Sequence, residues 1–96
     1  MKVYISGPIT GIVNNNVGAF DEVEMHLKEH GYEVVNPLKI NVDNIEKNLG
    51  WKEYMIVDII ELLRWDYIYM LPNWTKSKGA LLEKAIADGL GIQELK

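Results

Sequence analysis

Cysteine is missing altogether from this chain of 96 residues. Disulfides, thiolate zinc sites and cysteine nucleophiles are therefore excluded. No apolar run approaches the roughly 20 residues needed to span a bilayer. Positive charge is short as well: the net charge is −4, with a sequence pI of about 5.1. That argues against binding a nucleic-acid polymer or an acidic membrane, which needs a basic patch. It leaves room for a small phosphorylated ligand, because backbone amides can bind phosphate without a basic residue. The only two histidines, His26 and His30, have no metal partner at useful spacing and are read as solvated, so no metal site is expected. There is no internal repeat, low-complexity tract or linker, and Asn14-Asn15-Asn16 is the nearest thing to biased sequence. No signal-peptide pattern precedes the first strand-like segment. A single soluble domain over residues 1–96, in the cytoplasm, is the expectation.

With 48% hydrophobic and 25% charged residues, the chain can form an ordinary globular core. Lys2-Val3-Tyr4-Ile5 is β-prone and runs into Ser6-Gly7-Pro8-Ile9-Thr10-Gly11, whose glycines permit a tight turn and close backbone approach to a ligand. Strand, glycine-rich loop and helix in that order can place an anion at a helix N-terminus, although the spacing is neither a Walker loop nor a dinucleotide fingerprint. Asn14 to Asn16 are helix N-cap candidates. A helix is predicted from about Val17 to Glu29, with Val17, Phe20, Val23 and Leu27 as its apolar stripe and Gly31 as its stop. Tyr32-Glu33-Val34-Val35 is a second strand, ended by Asn36-Pro37. Residues 38–49 read as a long connection with room for a helical turn and a place in a pocket wall. A helix follows from about Gly50 to Arg64, with Trp51, Met55, Ile59 and Leu62 on its apolar face. Asp66 reads as a turn or cap residue. Tyr67 to Leu71 is a strand buried on both faces. Pro72 to Ser77 is the loop after it, Ser77 to Leu90 a helix, and Gly91 to Leu95 at most a short last strand anchored by Ile92 and Leu95.

This alternation of strands and helices argues for an α/β fold, flavodoxin-like or Rossmann-like. Its three layers would enclose a small, mostly parallel sheet of four to five strands. In such folds ligands sit beyond the carboxyl ends of the strands.

Two carboxylates stand where apolar residues belong. Glu83 falls on the face of the last helix that carries Gly79, Leu82, Ile86 and Leu90, beside Ala80 and Ala87. Asp58 falls on the face of the preceding helix, between Trp51 and Tyr54. Burying a lone charge is expensive unless it is paired or used, so each is a candidate for chemistry or for a structural ion pair. Two carboxylates at one site suit glycosidic-bond chemistry, one as nucleophile or oxocarbenium stabiliser and the other handling protons. Ser77 fits a helix N-cap or a phosphate contact, and Trp74 fits a base stack or a pocket rim.

MKVYISGPITG at the start, DIIELLRWD in the middle and YMLPNWTKSKGALLEKAIADGLG near the end together resemble one group. It is the small, often phage-encoded domain-of-unknown-function branch (DUF4406-like) of the nucleoside 2-deoxyribosyltransferase-like superfamily, and the likeness covers nearly the whole chain. The resemblance implies a flavodoxin-like parallel sheet and cleavage of the N-glycosidic bond of deoxynucleosides or deoxynucleotides. It also implies Glu83 as nucleophile and Asp58 as the aspartate of the preceding helix. Six residues before the nucleophile, relatives acting on free nucleosides tend to carry Asp, whereas the 5′-monophosphate N-glycosidases carry Ser, here Ser77. Tyr4, Ser6, Gly7, Ile9, Gly11, Trp74, Ser77 and Gly79 would bind the substrate. A homodimer or larger homo-oligomer is implied, in which a neighbouring subunit completes the site. The chain departs from the pattern in having little sequence after Gly91 and no arginine in the Gly7–Gly11 loop.

The expected function is cleavage or transfer at the N-glycosidic bond, with no cofactor since carboxylates suffice. The alternative is a nucleotide sensor or sequestering module with the same pocket and no turnover.

Overall fold

The structure is a computed structural model and describes residues 1–9, 12–40 and 50–96. Four strands and three long helices alternate along it: β1 Lys2–Ser6, α1 Val17–Glu29, β2 Glu33–Val35, α2 Trp51–Leu62, β3 Tyr67–Met70, α3 Lys78–Leu90 and β4 Gln93–Glu94. Residues 37–40 are also helical. The sheet order is β2-β1-β3-β4 and every pairing is parallel. That is the flavodoxin-like order, and the chain reverses its direction of travel between β1 and β3.

Side chains alternate across the central strand and feed two cores. Val3 and Ile5 pack with Phe20 and Leu27 of α1 and with Leu71. Tyr4 packs on the opposite face with Leu62 of α2, Ala87 of α3 and Ile68. One helix thus covers one face and two cover the other. The short β4 is secured from both sides, Leu95 joining the first core and Ile92 the second.

The helix positions agree with the periodicity, but their buried stripes are turned from the predicted ones. In α3 the buried residues are Ala80, Glu83 and Ala87, whereas Leu82 and Leu90 face water, Leu90 at 63% exposure. The small residues win the inner face because they let α3 lie close to the sheet. In α2 the buried residues are Met55, Asp58 and Leu62, while Trp51 is 45% exposed. In α1 they are Phe20, Glu24 and Leu27, and Val17 is exposed.

The asparagine run makes a left-handed turn rather than a side-chain cap. Asn14, Asn15 and Asn16 have φ of 52°, 53° and 63°, a region asparagine tolerates better than most residues. Asn16 Nδ2 donates 2.9 Å to the Pro8 carbonyl, tying the turn to the loop after β1. Gly31 ends α1 at φ +90°, where a Cβ would be strained.

Candidate functional site

A cavity of about 980 Å³ opens beyond the carboxyl ends of the strands. Gly7 to Ile9 after β1, Pro37 and Leu38 after β2, and Asn73 with Lys76 and Ser77 after β3 form its walls, together with the first turns of α2 and α3. It occupies the crevice at the reversal point between β1 and β3, the place where open α/β sheets hold ligands.

Glu83 and Asp58 both reach this cavity from two different helices, and each is about 5% exposed. The Glu83 carboxylate is held at both oxygens. Tyr4 Oη donates to Oε2 at 2.7 Å and Ser6 Oγ donates to Oε1 at 2.6 Å. Tyr4 and Ser6 are two apart on β1, so they share one face of the strand and present two hydroxyls side by side to α3. Burial pushes the Glu83 carboxyl above the ordinary carboxylate value, and the hydrogen bonds from Ser6 and Tyr4 hold it partly back. Burial, then the negative charges of Glu83 and Asp58, keep the Tyr4 phenol well above its usual value. Tyr4 therefore remains a donor throughout the neutral range.

The sequence-predicted site residues sort into four groups. Gly7, Ile9, Ser77 and Gly79 line the cavity with the two carboxylates. Tyr4 and Ser6 are fully buried and act behind the wall, holding Glu83. Trp74 lies half-buried in a 3₁₀ turn, Trp74–Lys76, and is not among the described cavity residues, although its neighbours Asn73 and Lys76 are. Gly11 lies outside the described residues, as do positions 41–49 of the long connection.

Two of the glycines are explained by packing. A Cβ on Gly7 would lie 2.6 Å from Leu71 Cβ, so the loop after β1 can pass the end of β3 only without one. A Cβ on Gly79 would lie 3.2 Å from Met55 Sδ, where α3 approaches α2. Ser77 caps α3 as expected, its Oγ accepting from the Ala80 amide at 3.2 Å.

The sequence reading missed several cavity residues. By spacing Trp51 and Tyr54 belong to the surroundings of a packing face, and Lys76 and Lys78 carry no sequence signal, yet all four line the cavity. Lys78 Nζ stands 4.7 Å from the centre of the Trp51 ring, a cation-π contact at the mouth. The available signal was the spacing: Trp51, Tyr54 and Asp58 lie three and four apart, hence on one helical face. Among the described residues no three His, Cys, Asp or Glu side chains gather as metal ligands.

Glu24, a third buried carboxylate, lies on the other face of the molecule. It accepts from Lys28 Nζ at 2.6 Å, Lys39 Nζ at 2.7 Å and Asn36 Nδ2 at 3.2 Å. Burial alone would raise its pKa, but these donors outweigh burial and lower it to about 2. Asn36 Oδ1 in turn accepts from the Leu38 amide at 3.0 Å, so the cluster anchors the segment that supplies Pro37 and Leu38 to the cavity.

Comparison with protein families matches residues 1–95 to the family described as "Domain of unknown function (DUF4406)". No curated protein and no solved structure matches the chain.

Proposed function

The chain belongs to the DUF4406 family, and from that premise and the cavity we propose that it cleaves or transfers at the N-glycosidic bond of a deoxynucleotide or deoxynucleoside. The observation that carries this activity is Glu83: a buried carboxylate on a cavity wall, oriented at both oxygens by Tyr4 and Ser6. A carboxylate held this way is aimed, and aim is what a nucleophile gains from its surroundings. Glu83 attacks the anomeric carbon of the sugar as the base departs, and Asp58 manages the proton on the base side. Water then releases the sugar, giving hydrolysis, or a second base takes it, giving transfer.

Ser77, Gly7 and the lysines at the mouth favour a 5′-phosphorylated substrate. Lys76 and Lys78 supply the positive charge that the Gly7–Gly11 loop lacks. The resemblance to deoxyribosyltransferases also favours self-association. The exposed apolar residues Ile56 and Ile60 on α2 and Leu63 just past its end suit that role.

A second activity, nucleotide binding without turnover, is favoured by one feature. Both Glu83 oxygens already accept hydrogen bonds, which restrains the carboxylate as well as aiming it. Chromatography separates the two. The protein is incubated with each deoxynucleoside and deoxynucleoside 5′-monophosphate, with and without a second base, and Glu83→Ala serves as control. Free base that disappears in the variant is the expected result. No base from any substrate, with ligand still bound by Glu83→Gln, leaves the binding module.

A further inference from the structure

We infer that Trp51 and Tyr54, in the first turn of α2, form the wall on which the ligand's base stacks, with Trp51 as the principal base-binding residue. This rests on the nucleotide reading of the cavity given above. Three observations converge on it. First, Trp51, Tyr54 and Asp58 occupy one face of α2 and all three line the cavity. The aromatic pair therefore lies along the same helical face as the carboxylate proposed to manage the base's proton. Second, the indole is not spent on the core: Trp51 is 45% exposed, while Met55 and Leu62 do the packing. Third, the ring has a partner that favours one orientation. Lys78 Nζ sits 4.7 Å from its centre, a cation-π contact, and any bias towards the bound orientation lowers the freedom lost on binding.

Chemistry divides the cavity accordingly. The α2 wall offers aromatic surface, which suits the flat base. The opposite walls, from the loops after β1 and β3, offer backbone, Ser77 and Lys76, which suit a sugar phosphate. Stacking on an aromatic side chain tolerates any base because every base has a π-face. The Trp51 wall thus sets that a base is required more than which one.

Calorimetric titration tests the assignment. The four deoxynucleoside 5′-monophosphates and 2-deoxyribose 5-phosphate are titrated into the protein and into Trp51→Ala, Trp51→Phe and Tyr54→Ala. Each also carries Glu83→Gln, so that no turnover intervenes. Trp51→Ala should weaken nucleotide binding at least about tenfold, equal to about 1.4 kcal/mol. Trp51→Phe should recover most of the loss, Tyr54→Ala should fall between, and the base-free sugar phosphate should bind all four alike. Equal weakening of nucleotide and sugar phosphate overturns the inference, as does unchanged nucleotide affinity, or a change confined to self-association in sedimentation. Nucleotide binding by the intact protein without base release would defeat the catalytic reading and leave the Trp51 wall standing. Failure of every nucleotide to bind the intact protein would overturn both.

Discussion

Glu83 carries a stability consequence whose sign differs from that of most carboxylates. Its folded pKa is raised by burial, so between the unfolded value and the raised one the folded chain binds more protons than the unfolded chain. Stability attributable to this group is therefore greatest at low pH and declines as pH rises through the raised value. Gln removes the charge and keeps the shape, and the Tyr4 and Ser6 hydroxyls can rotate to meet an amide. Glu83→Gln should melt at the same temperature as the parent, or higher, at neutral pH, with the difference shrinking as pH falls through the raised value and gone by about pH 4.5. Thermal melts of both proteins from pH 4 to 8 measure this. A variant that melts several degrees lower at neutral pH would mean that the charged carboxylate holds the fold together. Retained stability with lost base release would place Glu83 among residues kept for function at a cost to the fold.

At the scale of elements, strand and helix positions were legible in the sequence because the periods of two and 3.6 are strong along this chain. The helix faces were less so. α3 offers leucines on one side and alanines on the other, and hydrophobicity alone selects the leucines. Close packing selects the alanines, since only small residues let Glu83 reach Tyr4 and Ser6 on the neighbouring strand. In the same way Trp51 reads as core by its size, when it stands at the cavity mouth beside Lys78. The two carboxylates were legible because charge on an inner face is anomalous under any rotation of the stripe. Glu24 was not: its i,i+4 spacing to Lys28 reads as an ordinary solvated helix pair, and the Lys39 and Asn36 contacts that accompany its burial come from a different element, which no local pattern records. The glycine-rich loop illustrates the same limit. The sequence suggests that Gly7 makes room for a ligand, and what the structure shows is that it makes room for Leu71. Gly7→Ala would drive a methyl group against Leu71 Cβ, Cγ and Cδ1, all within 3.0 Å. Overpacking of this kind costs about 1–3 kcal/mol, read as a lower urea midpoint with an unchanged m-value. Leu71→Ala in the same background should recover part of the loss.

Across the whole molecule, the two faces of the sheet respond to acid in opposite directions. On the α1 face, Glu24 has its folded pKa lowered to about 2. Its stabilising contribution is fully present above the unfolded value near 4.5 and disappears as pH falls towards 2. Allowing for the exposure of Lys28 and Lys39, that contribution is about 2–3 kcal/mol. Glu83 on the opposite face offsets part of it by becoming easier to bury as it protonates. Unfolding followed from pH 5 to pH 2 should show steep loss in the parent and a shallower slope in Glu24→Gln. Parallel slopes would remove Glu24 from the account. The central strand joins these faces, and its alternation has a further consequence. Val3 and Ile5 serve one core while Tyr4 and Ser6 hold Glu83 on the other side. A slip of β1 by one residue would exchange the two pairs, pressing hydroxyls into the α1 core and aliphatic side chains against the carboxylate. A misregistered molecule would lose both cores and the Glu83 contacts together, so no compact species lacking those contacts should accumulate. On the activity proposed above, turnover in a preparation of this protein would then serve as a census of correctly folded chains.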